Sequence, residues 1–222
     1  MMEMYLKPTP VIDCNAPPVR EKAQNLTADK ENDVEKAKAL FYFVRDEIKY
    51  NPYVLHNLAE HHKASVTLSK EEGYCVQKAI LLAALARGAA IPARLGFADI
   101  RNHIVPQKLL ELMHGNNLFI YHGYCELYIG QKWVKATPSF DLEMCQEHHI
   151  IPVEFDGENN ATFHRYNQEG KLHIEYVCDY GHYPDLPLEE MLNARVKVYG
   201  PEYLTMQENI VNLGLGNAQK TI

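Results

Sequence analysis

A chain of 222 residues with 46% hydrophobic content is long enough for one large domain with its own core. The net charge of −7 argues against nucleic acid or an anionic membrane surface as partner, and no run of about 18 apolar residues offers a membrane span. Five cysteines, without paired metal-ligand spacing, read as reduced thiols and predict no metal. The start, Met1-Met-Glu-Met-Tyr-Leu-Lys-Pro8, lacks the basic and apolar regions of a signal peptide, so a cytoplasmic compartment is expected.

Residues 1–20 are rich in proline and predict an extended arm. Asn32-Asp33 offers a helix start, and Ala37, Leu40, Phe41, Val44 and Ile48 place one apolar face on that helix. Residues 51–72 read as a polar loop whose His56, His61 and His62 are solvated. From Val76 the apolar residues Ala79, Ile80, Ala83, Ala84 and Leu85 recur at the spacing of a buried helix. Ala93–Ile100 predicts a strand, and Arg101, Asn102 and His103 a turn held by local hydrogen bonds. A short helix is expected at residues 107–113. Residues 119–141 read as a β-hairpin with its turn at Gly130-Gln131. Two strands, Ala161–Tyr166 and Lys171–Asp179, flank a turn at residues 167–170. A helix is expected at Pro187–Ala194, and residues 209–222 read as a frayed end or an interface.

Chemistry concentrates at two of these places. Cys75 falls where a loop becomes the buried helix. Backbone N–H groups at a helix start are unpaired, and with the helix dipole they stabilise an anion. A thiol there can ionise, and the same donors can hold an oxyanion. A lone cysteine is more often a buried structural residue, but His122, near the start of the hairpin's first strand, supplies the base a nucleophilic thiol needs. If the turn centres between Gly130 and Gln131, His122 lies opposite Ser139. Thr137, Ser139 and Asp141 then share its face. Cys125, three residues from His122, points the other way, into the core.

Gly73-Tyr-Cys75 opening a helix, then Ile91-Pro-Ala-Arg94, His122-x-Tyr124-x-Glu126 and the Trp133-Val134 strand, together resemble the transglutaminase-like superfamily. Ala37–Tyr50 is similar to that family's leading helix, and Ala64–Leu68 to the segment before its nucleophile. The likeness spans about residues 33–141 and is closest to small bacterial members. It implies a single domain over 1–222, with an N-terminal arm and a C-terminal β extension. It implies an α+β, papain-like transglutaminase-core fold, in which the nucleophile helix packs against an antiparallel sheet. It also implies a catalytic set of Cys75, His122 and a third residue. The family has aspartate where this chain has Thr137, so Thr137 and Asp141 are alternatives for orienting His122. A second departure is Ala90, where the family has a left-handed glycine; Gly88 is an alternative end for the helix.

The expected function is a cysteine-dependent acyl enzyme acting on a peptide, protein or small amide, with hydrolysis favoured over transfer to an amine. It needs no cofactor. The alternative is a catalytically weak or inactive binding or assembly module on the same fold, which the loss of the family's aspartate motivates.

Overall fold

The computed structural model describes residues 2–204. Its N-terminal arm is not extended. A 3₁₀ turn at Met2–Leu6 leads to helix α1, Pro17–Thr27. Pro17 and Pro18 occupy the first helical positions, where a missing N–H costs nothing, so the prolines begin a helix rather than preventing one. Helix α2, Asp33–Tyr42, starts as expected, with the Asn32 side chain accepting from the Glu35 amide at 3.0 Å. It runs on into a π-helical turn, Phe43–Glu47.

Strand β1, Lys49–Tyr50, pairs in parallel with β2, Glu72–Gly73, and so brings the end of this turn beside the start of the nucleophile helix. The segment between them is not a plain polar loop, and only part of it, His61 included, keeps solvent contact. It holds a 3₁₀ turn, Ala59–His62, and helix α3, Ala64–Lys70. His56 and His62 are buried, at 4% and 0% exposure.

Helix α4, Cys75–Gly88, is the axis of the domain. Every residue from Val76 to Arg87 is buried, as befits a helix apolar on all sides. Its one buried ammonium, Lys78, donates to the carbonyls of Arg45 (3.0 Å) and Ile48 (2.5 Å) at the π-turn. Burial pushes that ammonium down to about 7 against the opposing pull of Asp141 and Asp46.

The helix ends in a Schellman turn: Ile91 N–H bonds Ala86 O at 2.9 Å, and Ala90 N–H bonds Arg87 O at 3.1 Å. Ala90 takes the left-handed position at φ 63°, so Gly88 does not replace the family's glycine. A side chain there is strained by about 1 kcal/mol. Ala90→Gly is expected to raise unfolding free energy by about 0.5–1 kcal/mol in urea titration, once glycine's greater unfolded-state freedom is subtracted. Destabilisation would contradict the reading.

Strand β3, Ala93–Asn102, is followed by helix α5, Gln107–Leu112, and strand β4, Leu118–Ile129. Strand β5, Lys132–Ala136, completes the hairpin, its turn carrying positive φ at both Gly130 and Gln131, the geometry of a tight two-residue hairpin. The register Cys125 opposite Ala136 is the one expected. Helix α6, Leu142–Glu147, strand β6, Ile174–Tyr183, and helix α7, Leu188–Tyr199, follow. The antiparallel sheet has the order β5-β4-β3-β6. The expected strand at Ala161–Tyr166 reduces to isolated bridges, Ala161 with Ala136 and Tyr166 with Leu172. The final stretch, 209–222, lies outside the described residues. The architecture is the α+β one expected, with α4 packed on an antiparallel sheet.

Candidate active site

Cys75 is the first residue of α4 and remains partly exposed. Its neighbour Val76 packs so tightly on β4 that a Cβ at Gly123 would meet Val76 Cα at 2.9 Å. Only glycine allows that approach, and it sets the start of α4 close against β4 beside His122. The amides of Gly123, Val76 and Cys75 and the charge of Arg195 all favour the thiolate. Burial outweighs them and pushes the thiol up. The expected low-pKa thiolate is therefore corrected: the resting group is a thiol whose donors act when charge develops.

His122 sits on β4, next to Gly123. The residue is 3% exposed, and its ring packs against Phe163, tilted by 35° with 5.0 Å between centroids. Nε2 is buried without a hydrogen bond. Burial first, then the charge of Arg195, pushes the imidazole down to about 3, so it is neutral at physiological pH.

A β-bulge sets where this ring lies. Ala98 faces His122 while Ile100 faces Phe119, so Ile120 and Tyr121 share the single partner Asp99. Tyr121 is left-handed, at φ 55°, a strained conformation for a bulky residue. Asp99 holds it by accepting from the Tyr121 amide at 3.0 Å and the Tyr180 hydroxyl at 2.8 Å.

Asp141 does not orient His122. Its two oxygens accept from the backbone amides of Tyr50 (2.7 Å) and Met144 (2.9 Å), making it the N-cap of α6 and a tie to β1. The physical reason is the end of the ladder. After Ala136 the chain turns to pair with residue 161, with Thr137 N–H bonding Ala161 O at 3.0 Å. The face-sharing arithmetic does not carry past that point. The hydroxyls of Thr137 and Ser139 are buried, and neither hydrogen-bonds the ring. Among the described residues His122 is held by packing alone.

Cys75 and His122 line one partly open cleft of about 80 Å³, together with Tyr50, Tyr53, Tyr74, Phe119, Tyr199 and Arg195. Arg195, on α7, was not singled out from sequence, nor were Tyr74 and Tyr203. Arg195 donates to the bulge carbonyls Ile120 O (3.1 Å, from Nε) and Tyr121 O (3.4 Å, from Nη2). From Nη1 it reaches the hydroxyls of Tyr203 (3.4 Å) and Tyr74 (3.5 Å). Those hydroxyls lie 2.7 Å and 2.8 Å from Nε2 of His56 and His62. Each histidine meets a carbonyl through Nδ1, Val54 O at 2.8 Å and Leu58 O at 3.0 Å. A carbonyl only accepts, so Nδ1 carries the proton and Nε2 accepts from tyrosine. Both imidazoles are neutral; burial pushes His62 down to about 3 and His56 well below its ordinary value. Arg101, Asn102 and His103 are engaged away from this cleft: Arg101 with Asn117, Asn102 with the Ile104 amide, His103 with Glu175. No cluster of three or more metal-ligating side chains occurs among the described residues.

A cysteine at the start of a buried helix, in one cleft with a histidine on an antiparallel sheet, defines the class: a cysteine-protease-like fold. The family model described as the transglutaminase-like superfamily matches residues 20–138, and the chain belongs to that superfamily. No curated protein matches the sequence. Three solved structures are similar at low identity. A candidate cysteine protease from Cytophaga hutchinsonii is 20% identical, with 60% of this chain and 40% of that one covered and a TM-score of 0.47. A candidate protease from Parabacteroides distasonis is 15% identical, with coverage of 55% and 23% and a TM-score of 0.39. The periplasmic domain of TgpA from Pseudomonas aeruginosa is 21% identical, with coverage of 55% and 42% and a TM-score of 0.40. The matched region spans less than half the length of each of these proteins. No helix among the described residues is long and apolar enough to cross a membrane.

Proposed function

We propose that the protein is a cysteine acyl enzyme working through a Cys75–His122 dyad, and that it hydrolyses an amide or peptide bond. The observation that carries this is that Cys75, the first residue of α4, and His122, on the strand packed against that helix, line one shared cleft. His122, neutral at rest, takes the thiol proton as sulfur bonds to the substrate carbonyl carbon. The oxyanion is held by unpaired amides at the start of α4. Its collapse breaks the C–N bond, and the proton on His122 goes to the departing amine. Water then attacks the thioester, giving up its proton to His122, and release of the acid returns the thiol. Transfer to an amine is the competing fate of the same thioester.

A second reading, a binding or assembly module, is favoured by one observation: among the described residues no carboxylate bonds His122. The substrate class proposed is a peptide or small amide rather than nucleic acid. The cytoplasm is the proposed compartment, on the strength of five thiols that form no disulfide. An activated acyl ester separates these readings. Hydrolysis predicts free acid as the main product even with added primary amine, and none above background from Cys75→Ala. Equal turnover by wild type and Cys75→Ala supports the binding module.

A further inference from the structure

We propose that Arg195 is a carboxylate-binding residue of the cleft, and that the protein's substrate is a carboxylate-bearing acyl compound such as an N-acyl amino acid with an apolar side chain. The proposal rests on the Cys75–His122 reading for its chemistry, but not for binding itself.

Arg195 is 4% exposed and lines the cleft that holds Cys75 and His122. Its partners are all neutral: two carbonyls and two tyrosine hydroxyls. Among the described residues no aspartate or glutamate pairs with it, whereas Arg45, equally buried, holds both Asp46 and Glu154; Arg87, as deeply buried, is satisfied by carbonyls alone but does not line the cleft. A buried guanidinium without an anion is costly, and the fold recovers part of that cost through neutral hydrogen bonds and the face of Tyr74, 5.4 Å away. Its contacts from Nη1, at 3.4 and 3.5 Å, are both to hydroxyls on the cleft wall, and the Nη2 contact with Tyr121 O is as long, at 3.4 Å.

The acidic groups nearby are already committed. Asp99 holds the Tyr121 amide and the Tyr180 hydroxyl, and Glu190 takes the hydroxyls of Tyr121 and Tyr183. The anion must therefore come from outside this set, and a planar carboxylate suits a guanidinium fork. The aromatic walls at Phe119 and Tyr199 suit an apolar side chain.

A bound carboxylate also repairs the base. The charge of Arg195 is the second cause that depresses His122. Neutralising it on substrate binding raises the imidazole toward a useful basicity when the thiol proton must move.

The test compares two alkylating agents of one size, iodoacetate and iodoacetamide. In both, the Cys75 sulfur bonds to the methylene carbon, iodide leaves with the electron pair, and the thiol proton goes to solvent. The ratio of their rates at Cys75, located by peptide mass mapping, is taken in the folded and urea-unfolded chain. Folding is expected to raise the iodoacetate-to-iodoacetamide ratio by about tenfold, to lose that gain in Arg195→Met, and to keep most of it in Arg195→Lys. An unchanged ratio on folding overturns the proposal, as does an equal fall of both rates in Arg195→Met, which assigns Arg195 to the thiolate alone.

A second readout needs neither a reactive thiol nor an Arg195 variant that folds. Calorimetry on Cys75→Ala is expected to show N-acetylphenylalanine binding at least about tenfold tighter than its carboxamide. Equal or absent binding overturns the proposal. Carboxylate preference without turnover by the wild type removes the enzyme reading and leaves the site.

Discussion

His122→Ala is expected to lower turnover of an activated ester by about 10²–10⁴-fold. The thiol of Cys75 is pushed up by burial, so without a base few molecules carry the nucleophile at pH 7. Residual activity of the variant is expected to climb steeply toward alkaline pH as the thiol ionises unaided. In the wild type a neutral imidazole supplies the base, and the rate is expected to hold well below pH 6, because burial and Arg195 keep His122 unprotonated until about 3. The variant also loses the ring packed against Phe163, so thermal melts must accompany the rates. A loss under threefold in a folded variant would remove His122 from the mechanism.

Acid is expected to unfold the protein well above the pH at which its carboxylates titrate. His62 and His122 are buried neutral, each pushed down to about 3, and His56 lies well below its ordinary value. In the unfolded chain each titrates near 6.5. Between about 6.5 and 3 the unfolded state therefore binds more protons, and unfolding free energy falls as pH falls. The contribution is fully present above 6.5. His62 and His122 each forfeit about 2 kcal/mol by pH 5 and roughly 4 kcal/mol by pH 3, and His56 shifts stability in the same direction. The first two alone are comparable with the 5–15 kcal/mol typical of a whole domain. Urea midpoints taken from pH 7.5 to 4.5 should fall continuously; a flat profile would show that these rings are not buried neutral in solution.

The sequence carries the nucleophile and its histidine plainly, because each sits at a place with its own local signal. Cys75 stands where a buried-helix period begins, and His122 lies in an aromatic hairpin whose two-residue turn fixes the register. Local signals failed where the decisive partner is remote. Asp141 shares the right strand parity, but a pairing with Ala161 pulls the chain off the ladder, and nothing within 20 residues announces that. His56 and His62 read as solvated because their partners, Tyr203 and Tyr74, lie 147 and 12 residues away. Arg195 looks like an ordinary helix arginine until α7 lays it beside the bulge. The bulge itself has a weak trace: an odd residue between Phe119 and His122, with no glycine to take the positive φ. Pro17-Pro18 is a different case, since two prolines suit an extended arm and a first helical turn equally.

The most direct measurement is an acid quench of wild-type protein mixed for milliseconds with an excess of an activated acyl ester, followed by intact mass and peptide mapping. A thioester intermediate predicts one acyl group per chain, on Cys75, that decays in water as free acid appears and is absent from Cys75→Ala. An unmodified chain during turnover, or an acyl group on Cys14, Cys125, Cys145 or Cys178 instead, would contradict it.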